Sequence, residues 1–350
     1  MRLVFVHHVV ADRGSAQDMH HYVHAARALG HEVALYGYAG PDSPFEYSSA
    51  VRSSDAVIFI FEWTTELQYG DTLDLARLVA TVPRERRVVI DCDGGYNDAL
   101  AVDGDATHPD AAASERWTAV CESLSDKIVQ PTMHPRRPNV GTFFFHAYNP
   151  GWEVPLDFAG KRYGMCYVGN NWYRWRALRR VLGALEPVRS RVGAVALVGH
   201  GWGSPPPWAS PTLTEDAYGS DPDYLRALGV EVLPPVPFDR VIECMGMGVF
   251  MPVIYRPLFD HLRLVTCRTF ETPAASTIPL FCQEPEFVAE VYGEQALALV
   301  LPEREPEAKI LDLVERPGHY AAIVEGIRRH LRREYSYERQ LRRLLEIVEE

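Results

Sequence analysis

Arg268 and Glu271 are the residues in this sequence best suited to hold a nucleotide. A guanidinium group can bind a phosphate, and a carboxylate can accept hydrogen bonds from the two neighbouring hydroxyls of a ribose. The small residues Ala275 and Ser276 follow, and they would allow the nucleotide to contact the backbone. An ion pair between Arg268 and Glu271 that serves only the local structure is the alternative interpretation.

A second group of candidate residues lies between a predicted strand and a predicted helix. Gly169 would let a phosphate approach the backbone, and Asn170 is followed by the helix start, where free amide groups favour an anion. Arg174 and Arg176 could stabilise a departing diphosphate. Because positions i and i+2 point apart on a helix, we expect one of these arginines to face the ligand and the other to face solvent.

Two loops in the first half of the chain carry groups suited to an acceptor. Gly14 and Ser15 open a predicted helix, where a plain turn with a helix cap is the alternative. Asp91, Asp93 and Gly94 follow a predicted strand, and a pair of acids with this spacing could hold magnesium or manganese. Acids in this position also order loops, so we predict no metal site and assign Asp93 and Gly94 to the acceptor.

Histidines follow or end several predicted strands. A histidine there could remove a proton from an acceptor hydroxyl or donate a hydrogen bond to the transferred sugar, although a structural role is the common alternative. The four histidines of this kind are His7, His8, His146 and His200. We choose His8 as a catalytic candidate, together with Arg174 and Arg268, and His200 as a contact to the donor.

The overall composition describes a globular protein with more than one domain. The chain has 350 residues, of which 47% are hydrophobic and 23% are charged, so two domains with ordinary cores are expected. The net charge of -12 argues against binding to a phosphate backbone, and we therefore expect no nucleic-acid partner. A homodimer is compatible with this composition.

The cysteines and the apolar segments point to a reducing compartment. Six cysteines are scattered without a C-x-x-C pair, which is typical of reduced core residues. No apolar run approaches the length of a membrane span, and the N-terminus does not resemble a signal peptide. We therefore expect a cytoplasmic protein.

Strands and helices alternate along the first 150 residues, which predicts one doubly wound domain with a parallel sheet. The predicted strands are 3–6, 33–36, 55–61, 87–91 and 127–129, and the predicted helices are 17–29, 73–80 and 117–124. The alternation breaks between 146 and 165, in a segment with the prolines and glycines of a linker.

A second alternating series follows the linker. Its predicted strands are 165–168, 194–198, 230–233, 249–254, 262–266, 280–282 and 297–301, and its predicted helices are 173–185, one opening at 272–276, and 335–348. The sequence therefore predicts domains at 1–150 and 151–334, followed by an amphipathic helix at 335–350. Ligands of such folds bind in the cleft at the carboxyl ends of the strands.

Three short segments resemble known glycosyltransferases. Residues 268–281 resemble the R-x-F-E-x-P-A-x-G stretch of CgeB-like glycosyltransferases, which are relatives of the group 1 (family 4) GT-B enzymes. Tyr167–Asn170, with Arg176 after it, resembles the F-x-G-S-x-x-x-x-R segment of that family. Gly30–Val33 resembles the L-x-x-x-G-H-E-V signature near the start of many GT-B enzymes.

The resemblance implies a GT-B fold, in which two Rossmann-like domains face a central cleft and the C-terminal helix crosses back to the first domain. It implies a nucleoside-diphosphate sugar, UDP- or GDP-linked, in the second domain, with Glu271 on the ribose and Arg268 near the diphosphate. The acceptor would bind the first domain, without a metal ion, and retention is the family's usual outcome. The sequence departs from the family at Ser276, where glycine is frequent, and at Arg263, where family 4 enzymes carry a glutamate.

These observations together favour a glycosyltransferase with a small-molecule, glycan or protein acceptor. A sugar-nucleotide epimerase or hydrolase on the same fold is one alternative, since it would need acids and a histidine around the sugar but no acceptor pocket. A binding protein without activity is the other. The sequence does not discriminate among the sugars or among the acceptors.

Overall fold

The fold is described from a computed structural model of the chain. It describes residues 1–7, 14–36, 47–48, 51–62 and 80–350. His8 and nearly all of the helix predicted at 73–80 lie outside the described residues.

The strands of the first domain are β1 (Arg2–Val6), β2 (Glu32–Tyr36), β3 (Tyr47–Ser48), β4 (Ala56–Phe61), β5 (Arg87–Asp91), β6 (Ala101–Val102), β7 (Asp105–Ala106), β8 (Lys127–Gln130) and β9 (Val140–Thr142). β6 and β7 form a separate, short antiparallel hairpin. The other seven strands form an all-parallel sheet with the order β3-β2-β1-β4-β5-β8-β9. Every residue of β4 is buried, as expected for a strand that is covered by helices on both faces.

Helices cover both faces of this sheet. Helix Gly14–Ala28 packs on one face and helix Ala111–Leu124 on the other. The second helix begins at a cap in which the Asp110 carboxylate accepts a hydrogen bond from the Ala113 amide at 2.7 Å. Short 3-10 turns lie at Val51–Ser53 and Arg84–Arg86.

The strands of the second domain are β10 (Tyr163–Val168), β11 (Val195–Val198), β12 (Val230–Leu233), β13 (Gly248–Val253) and β14 (Ile278–Phe281). They form a five-stranded, all-parallel sheet with the order β12-β11-β10-β13-β14. Its helices are Trp175–Leu185, Arg189–Val192, Pro211–Asp216, Pro222–Ala227, Val241–Met245, Pro257–His261, Cys267–Ala274, Pro285–Tyr292, Pro306–Glu315 and Gly318–Tyr335. Its 3-10 turns are Pro150–Trp152, Glu186–Val188, Phe238–Arg240 and Glu294–Leu299.

Two predicted strands of the second domain are wrong. The run at 262–266 forms no strand because Leu262 and Leu264 pack in a small cluster with residues of the first domain. The run at 297–301 lies mostly in a 3-10 turn and touches the sheet through a single bridge between Phe281 and Val300. The helix expected to open at 272–276 instead begins at Cys267.

The chain passes between the domains at two adjacent points. The Tyr148 amide donates a hydrogen bond to the Tyr335 carbonyl at 2.8 Å, and Tyr148 also forms a bridge with Ser336. The helix Tyr337–Glu349, called the C-terminal helix below, then packs on the core of the first domain. The predicted two-domain α/β fold with a returning C-terminal helix is therefore confirmed.

The order of each sheet reverses next to its first strand, between β1 and β4 and between β10 and β13. The residues that follow the carboxyl ends of the strands face one another across the domains. The Val265 amide, for example, donates a hydrogen bond at 2.7 Å to the carbonyl of Pro131, which follows β8. A cleft between the two carboxyl edges is where ligands of doubly wound domains bind.

One contact across the cleft is deeply buried. Asp105, the first residue of β7, is 0% exposed, and its carboxylate accepts hydrogen bonds from Arg256 Nε at 2.7 Å and from the Leu258 amide at 3.1 Å. We call Asp105 and Arg256 the clasp. Moving the hairpin away from the second domain would leave a buried charge without its partner, which is costly. The clasp therefore holds the hairpin of the first domain against the second domain.

Candidate active site

The helix Cys267–Ala274, called the site helix below, carries the predicted Arg268 and Glu271 into the cleft. It begins after Thr266, whose amide donates a hydrogen bond to Thr269 Oγ1 at 3.0 Å. Arg268 Nη1 lies 2.9 Å from Glu271 Oε2, and the two side chains are 18% and 4% exposed. The predicted pair is therefore an ion pair at the cleft end of a buried helix.

This ion pair retains hydrogen-bonding capacity. Neither Arg268 Nη1 nor Glu271 Oε2 has a well-directed hydrogen bond to any described residue. Burial raises the pKa of the Glu271 carboxyl, although the charge of Arg268 opposes this shift. Burial acts to lower the pKa of Arg268, but Glu271 together with smaller contributions from neighbouring groups raises it above the usual value. A charged pair that is desolvated and short of partners is typical of a ligand site.

Gly169 lies where two loops of the second domain meet. Its amide donates to the Val198 carbonyl at 2.8 Å, and its carbonyl accepts a hydrogen bond from Trp202 Nε1 at 2.8 Å. Gly199, with φ 140°, has no space for a side chain, because a Cβ there would collide with the Gly169 carbonyl oxygen. The close backbone approach explains why position 199 is glycine, whereas a Cβ at Gly169 would instead crowd the Tyr167 ring.

Asn170 and His200 are joined within these loops. Asn170 Oδ1 accepts a hydrogen bond from the His200 amide at 2.9 Å. The His200 ring lies edge-on to Trp208, with the ring centroids 4.6 Å apart, and Trp208 is 59% exposed. The neighbouring Asn171 is fully buried and donates to the carbonyls of Gly201 and Gly219, both at 3.0 Å. Sequence reasoning missed Asn171, which holds the loop in place.

The two arginines at the start of helix Trp175–Leu185 point apart, as their spacing predicts. Arg174 is half-buried, and its Nη1 donates to the Asn170 carbonyl at 3.1 Å. Burial lowers the pKa of Arg174, and the charges of Arg268 and Arg256 act in the same direction. Arg176 is 78% exposed and pairs with Asp103 at 2.5 Å. Arg174 therefore lies near Arg268, whereas Arg176 lies at the exposed rim of the cleft.

Ala275 and Ser276 lie at the other end of the site helix. Ser276 Oγ accepts a hydrogen bond from the Asp157 amide at 3.0 Å, and the Ala275 carbonyl accepts one from Arg328 at 2.9 Å. Eight helical residues rise about 12 Å, which carries the chain from the carboxyl edge of the sheet towards its amino edge. The structure does not bring Ala275 and Ser276 to the predicted donor site.

The first domain contributes a buried chain of hydrogen bonds. His146 Nδ1 lies 2.9 Å from Asp18 Oδ2, and the Tyr337 hydroxyl donates to Asp18 Oδ1 at 2.5 Å. Burial acts to lower the pKa of His146, but Asp18, with smaller contributions from Glu62 and Asp93, raises it to about 9. Asp18 and Tyr337 were not among the predicted site residues.

The predicted acceptor residues differ in their surroundings. Asp91 orders its own loop, accepting hydrogen bonds from the Gly95 and Tyr96 amides at 2.9 and 2.7 Å. A Cβ at Gly94 would contact Leu262 of the second domain, so this glycine packs against the other domain. Asp93 is half-buried and close enough to His146 to raise its pKa.

The remaining predicted residues are only partly described. Gly14 and Ser15 form the first turn of helix Gly14–Ala28, the same helix that carries Asp18. His8 lies outside the described residues. Within the ranges that the structure describes, no group of three or more histidine, cysteine or acidic side chains could hold a metal ion. In the same ranges, no helix is long and apolar enough to cross a membrane.

The two sides of the cleft have opposite charge. The second domain supplies Arg174 and Arg268 close to the Gly169 loop, and the first domain supplies the carboxylates of Asp18 and Asp93. A cationic side suits an anion such as a diphosphate, and a carboxylate side suits hydroxyl groups or proton transfer. This arrangement can bring a phosphorylated donor to a hydroxyl acceptor.

No protein-family model matches the chain, and no curated protein sequence matches it. Solved structures do match over the whole length. The T4 phage β-glucosyltransferase in complex with UDP-glucose has a TM-score of 0.63 at 12% identity, covering 99% of both chains. An α-glucosyltransferase in complex with UDP and a 13-mer DNA has a TM-score of 0.66 at 13% identity, covering 100% of this chain and 99% of that one.

These likenesses establish the fold. The chain has the GT-B architecture of two Rossmann-like domains that the resemblance implied. The narrower assignment to CgeB-like or family 4 enzymes is not supported by them. One of these neighbours holds DNA on the same fold, so a net charge of -12 does not by itself exclude a nucleic-acid partner, contrary to the expectation from the sequence. Net charge describes the average field of a molecule and not the local charge of its cleft.

Proposed function

We propose that the protein is a glycosyltransferase that uses a UDP-sugar donor. The observation that carries the proposal is the buried Arg268–Glu271 pair, which lies at the cleft with unused hydrogen-bonding capacity. Arg268 and Arg174 would bind the diphosphate, and Glu271 would accept hydrogen bonds from the ribose hydroxyls. Gly169 and Asn170 would bring the backbone to the phosphates. The structural neighbours that hold UDP or UDP-glucose support this choice of donor.

Departure of the diphosphate would be assisted by arginine. Two guanidinium groups fixed before the reaction stabilise the charge that develops on the leaving group. We propose on this basis that transfer is independent of metal, although one neighbour, the T4 phage β-glucosyltransferase, is known in a complex with UDP and Mn²⁺. Transfer rates that are equal in EDTA and in Mn²⁺ would support the proposal, and strict dependence on Mn²⁺ would contradict it.

The acceptor would bind against the first domain, where the Asp93 carboxylate would accept the proton of its hydroxyl. Nucleic acid is the first acceptor to test, because neighbours of the same fold hold DNA. Small molecules, glycans and proteins are the other acceptor classes, and the net charge of -12 favours them over nucleic acid. Incubation of the enzyme and radiolabelled UDP-glucose with DNA duplexes or with hydroxylated small molecules would identify the acceptor.

The product of the same incubation would also show the stereochemical outcome of transfer. The neighbours include enzymes named for α-glucosyl and for β-glucosyl transfer, so the fold accommodates both outcomes. We propose retention, following the family resemblance at residues 268–281. The anomeric coupling constant of the product, measured by NMR, would establish it.

The donor assignment is tested by Glu271→Gln. We expect this variant to lose at least tenfold in UDP affinity by calorimetry, because a neutral amide leaves Arg268 without its ion pair and removes one acceptor for the ribose. Glu243→Gln is the matched control, since Glu243 forms an exposed pair with Arg240 at the same i,i+3 spacing. Equal UDP affinity in the two variants would contradict the assignment. Release of UDP without an acceptor would favour the hydrolase alternative.

A further inference from the structure

The C-terminal helix contributes one buried side chain to the surroundings of Asp18. Tyr337, the first residue of this helix, is 5% exposed, and its hydroxyl donates to Asp18. Its ring packs against the rings of His21, Tyr22 and Trp152, with centroids 4.7, 5.3 and 6.2 Å away. Rings on several sides fix the direction in which the hydroxyl points.

Asp18 connects this hydroxyl to His146. One carboxylate oxygen accepts from Tyr337, and the other lies 2.9 Å from His146 Nδ1. With Nδ1 engaged, the proton on Nε2 is directed away from Asp18. Nε2 has no hydrogen bond to any residue in the described part of the chain. His146 is 7% exposed, so its position is set by the protein and not by solvent.

His146 lies between the two sides of the cleft. The carboxylates that act on it from the first domain are Asp18, Glu62 and Asp93. From the second domain, Glu271 is close enough for His146 to lower its pKa. His146 therefore interacts electrostatically both with Asp93, the proposed acceptor carboxylate, and with Glu271, the proposed ribose carboxylate. The transferred sugar would lie between these two sites.

We propose that Tyr337 and Asp18 are positioning residues that hold His146 with its Nε2–H directed at an oxygen of the transferred sugar. This inference rests on the proposed function. The C-terminal helix then has a role in the reaction, because it packs on the first domain and also supplies Tyr337 to the sugar site. A nucleotide without the sugar cannot accept this hydrogen bond from His146, so its affinity does not depend on it.

The test compares UDP with UDP-glucose. In calorimetry, Tyr337→Phe binds UDP within twofold of the wild type but binds UDP-glucose about fivefold more weakly, because only the sugar uses the oriented histidine. Tyr22→Phe is the matched control. Tyr22 lies in the same aromatic group, and its hydroxyl donates to the Phe145 carbonyl at 2.9 Å and not to Asp18. Both affinities of this control stay within twofold.

A pH profile separates positioning from a merely structural role. The wild-type kcat/KM for sugar transfer falls as the pH rises through about 9, where His146 loses its proton. Asp18→Asn removes the charge that supports this proton, so the alkaline limb moves down by at least one pH unit. Glu62, Asp93 and Glu271, which also face His146, remain unchanged in that variant.

The outcomes are distinct. Equal weakening of UDP and UDP-glucose in Tyr337→Phe, or an alkaline limb that Asp18→Asn does not move, would overturn the role of His146 and leave the donor assignment intact. A wild-type protein that binds neither UDP nor UDP-glucose would overturn the proposed function and this inference together.

Discussion

Arg174 and Arg176 are separated by one residue, yet the structure gives them different tasks. Arg174 is half-buried near Arg268, whereas Arg176 is 78% exposed and pairs with Asp103 at the rim. We expect Arg174→Ala to weaken UDP binding by at least tenfold, because a desolvated guanidinium contributes more to phosphate binding than an exposed one. Arg176→Ala is the matched control and should change UDP affinity by less than twofold. Titration calorimetry measures both, and a larger loss in Arg176→Ala would reverse the assignment.

The residues that sequence reasoning finds are those that carry their chemistry locally. Arg268 and Glu271 are three positions apart on one helix, so their side chains meet on the same face without help from the rest of the fold. Asp18 and Tyr337 are 319 positions apart, and they meet only because the C-terminal helix returns to the first domain. No local pattern in the sequence marks such a pair.

The Asp18–His146 pair makes stability depend on pH. The pKa of His146 is raised from 6.5 to about 9 in the folded protein, so the folded state favours the protonated ring. This stabilisation is fully present below pH 6.5 and is lost as the pH rises through 9, with a total of about 3 kcal/mol. Urea unfolding at pH 6 and pH 9.5 should therefore show a larger loss of unfolding free energy in the wild type than in His146→Gln. Parallel losses in the two proteins would contradict this account.

At the scale of elements, the apolar pattern predicts which segments are buried better than it predicts whether they form strands or helices. The run at 262–266 is buried, as the sequence suggests, but it packs between the domains and not within a sheet. The site helix begins five residues earlier than expected, because Thr266, which is predicted at the end of a strand, instead caps the helix. The small size of Ala275 and Ser276 assigns them to the nucleotide, whereas the structure places them at the far end of this helix.

The C-terminal helix should be essential to the stability of the first domain. Leu341, Leu344, Ile347 and Val348 are buried in the core of that domain, although they follow the second domain in the sequence. We expect Leu344→Ala to lower the free energy of unfolding by about 2–5 kcal/mol through cavity formation. Arg342→Ala, an exposed position on the same helix, should change it by less than about 0.5 kcal/mol. Chemical denaturation measures both, and similar values would show that the helix is only loosely packed.

For the whole molecule, the alternation of strands and helices was enough to predict two parallel sheets, because each βαβ unit has few permitted topologies. The relation between the domains was not predictable from that pattern. The β6–β7 hairpin is two short strands of two residues each, and Asp105 within it has no sequence signal that points to Arg256, 151 positions later. Net charge is equally uninformative about this relation, since it does not show which charges face the cleft.

The clasp should hold the two domains at a fixed angle. Asp105 is fully buried, and Asp105→Ala would leave Arg256 without its carboxylate, a loss that typically costs about 3–5 kcal/mol for a buried pair. We expect this variant to remain folded in each domain but to exchange amide hydrogens faster in residues 101–106 and 256–264, and to scatter X-rays with a larger radius of gyration. Asp103→Asn, which breaks the exposed pair with Arg176, is the control and should leave both measurements unchanged. If Asp105→Ala keeps the wild-type exchange and radius, the clasp is not what sets the angle, and the apolar contacts of Leu258, Leu262 and Leu264 hold the domains instead.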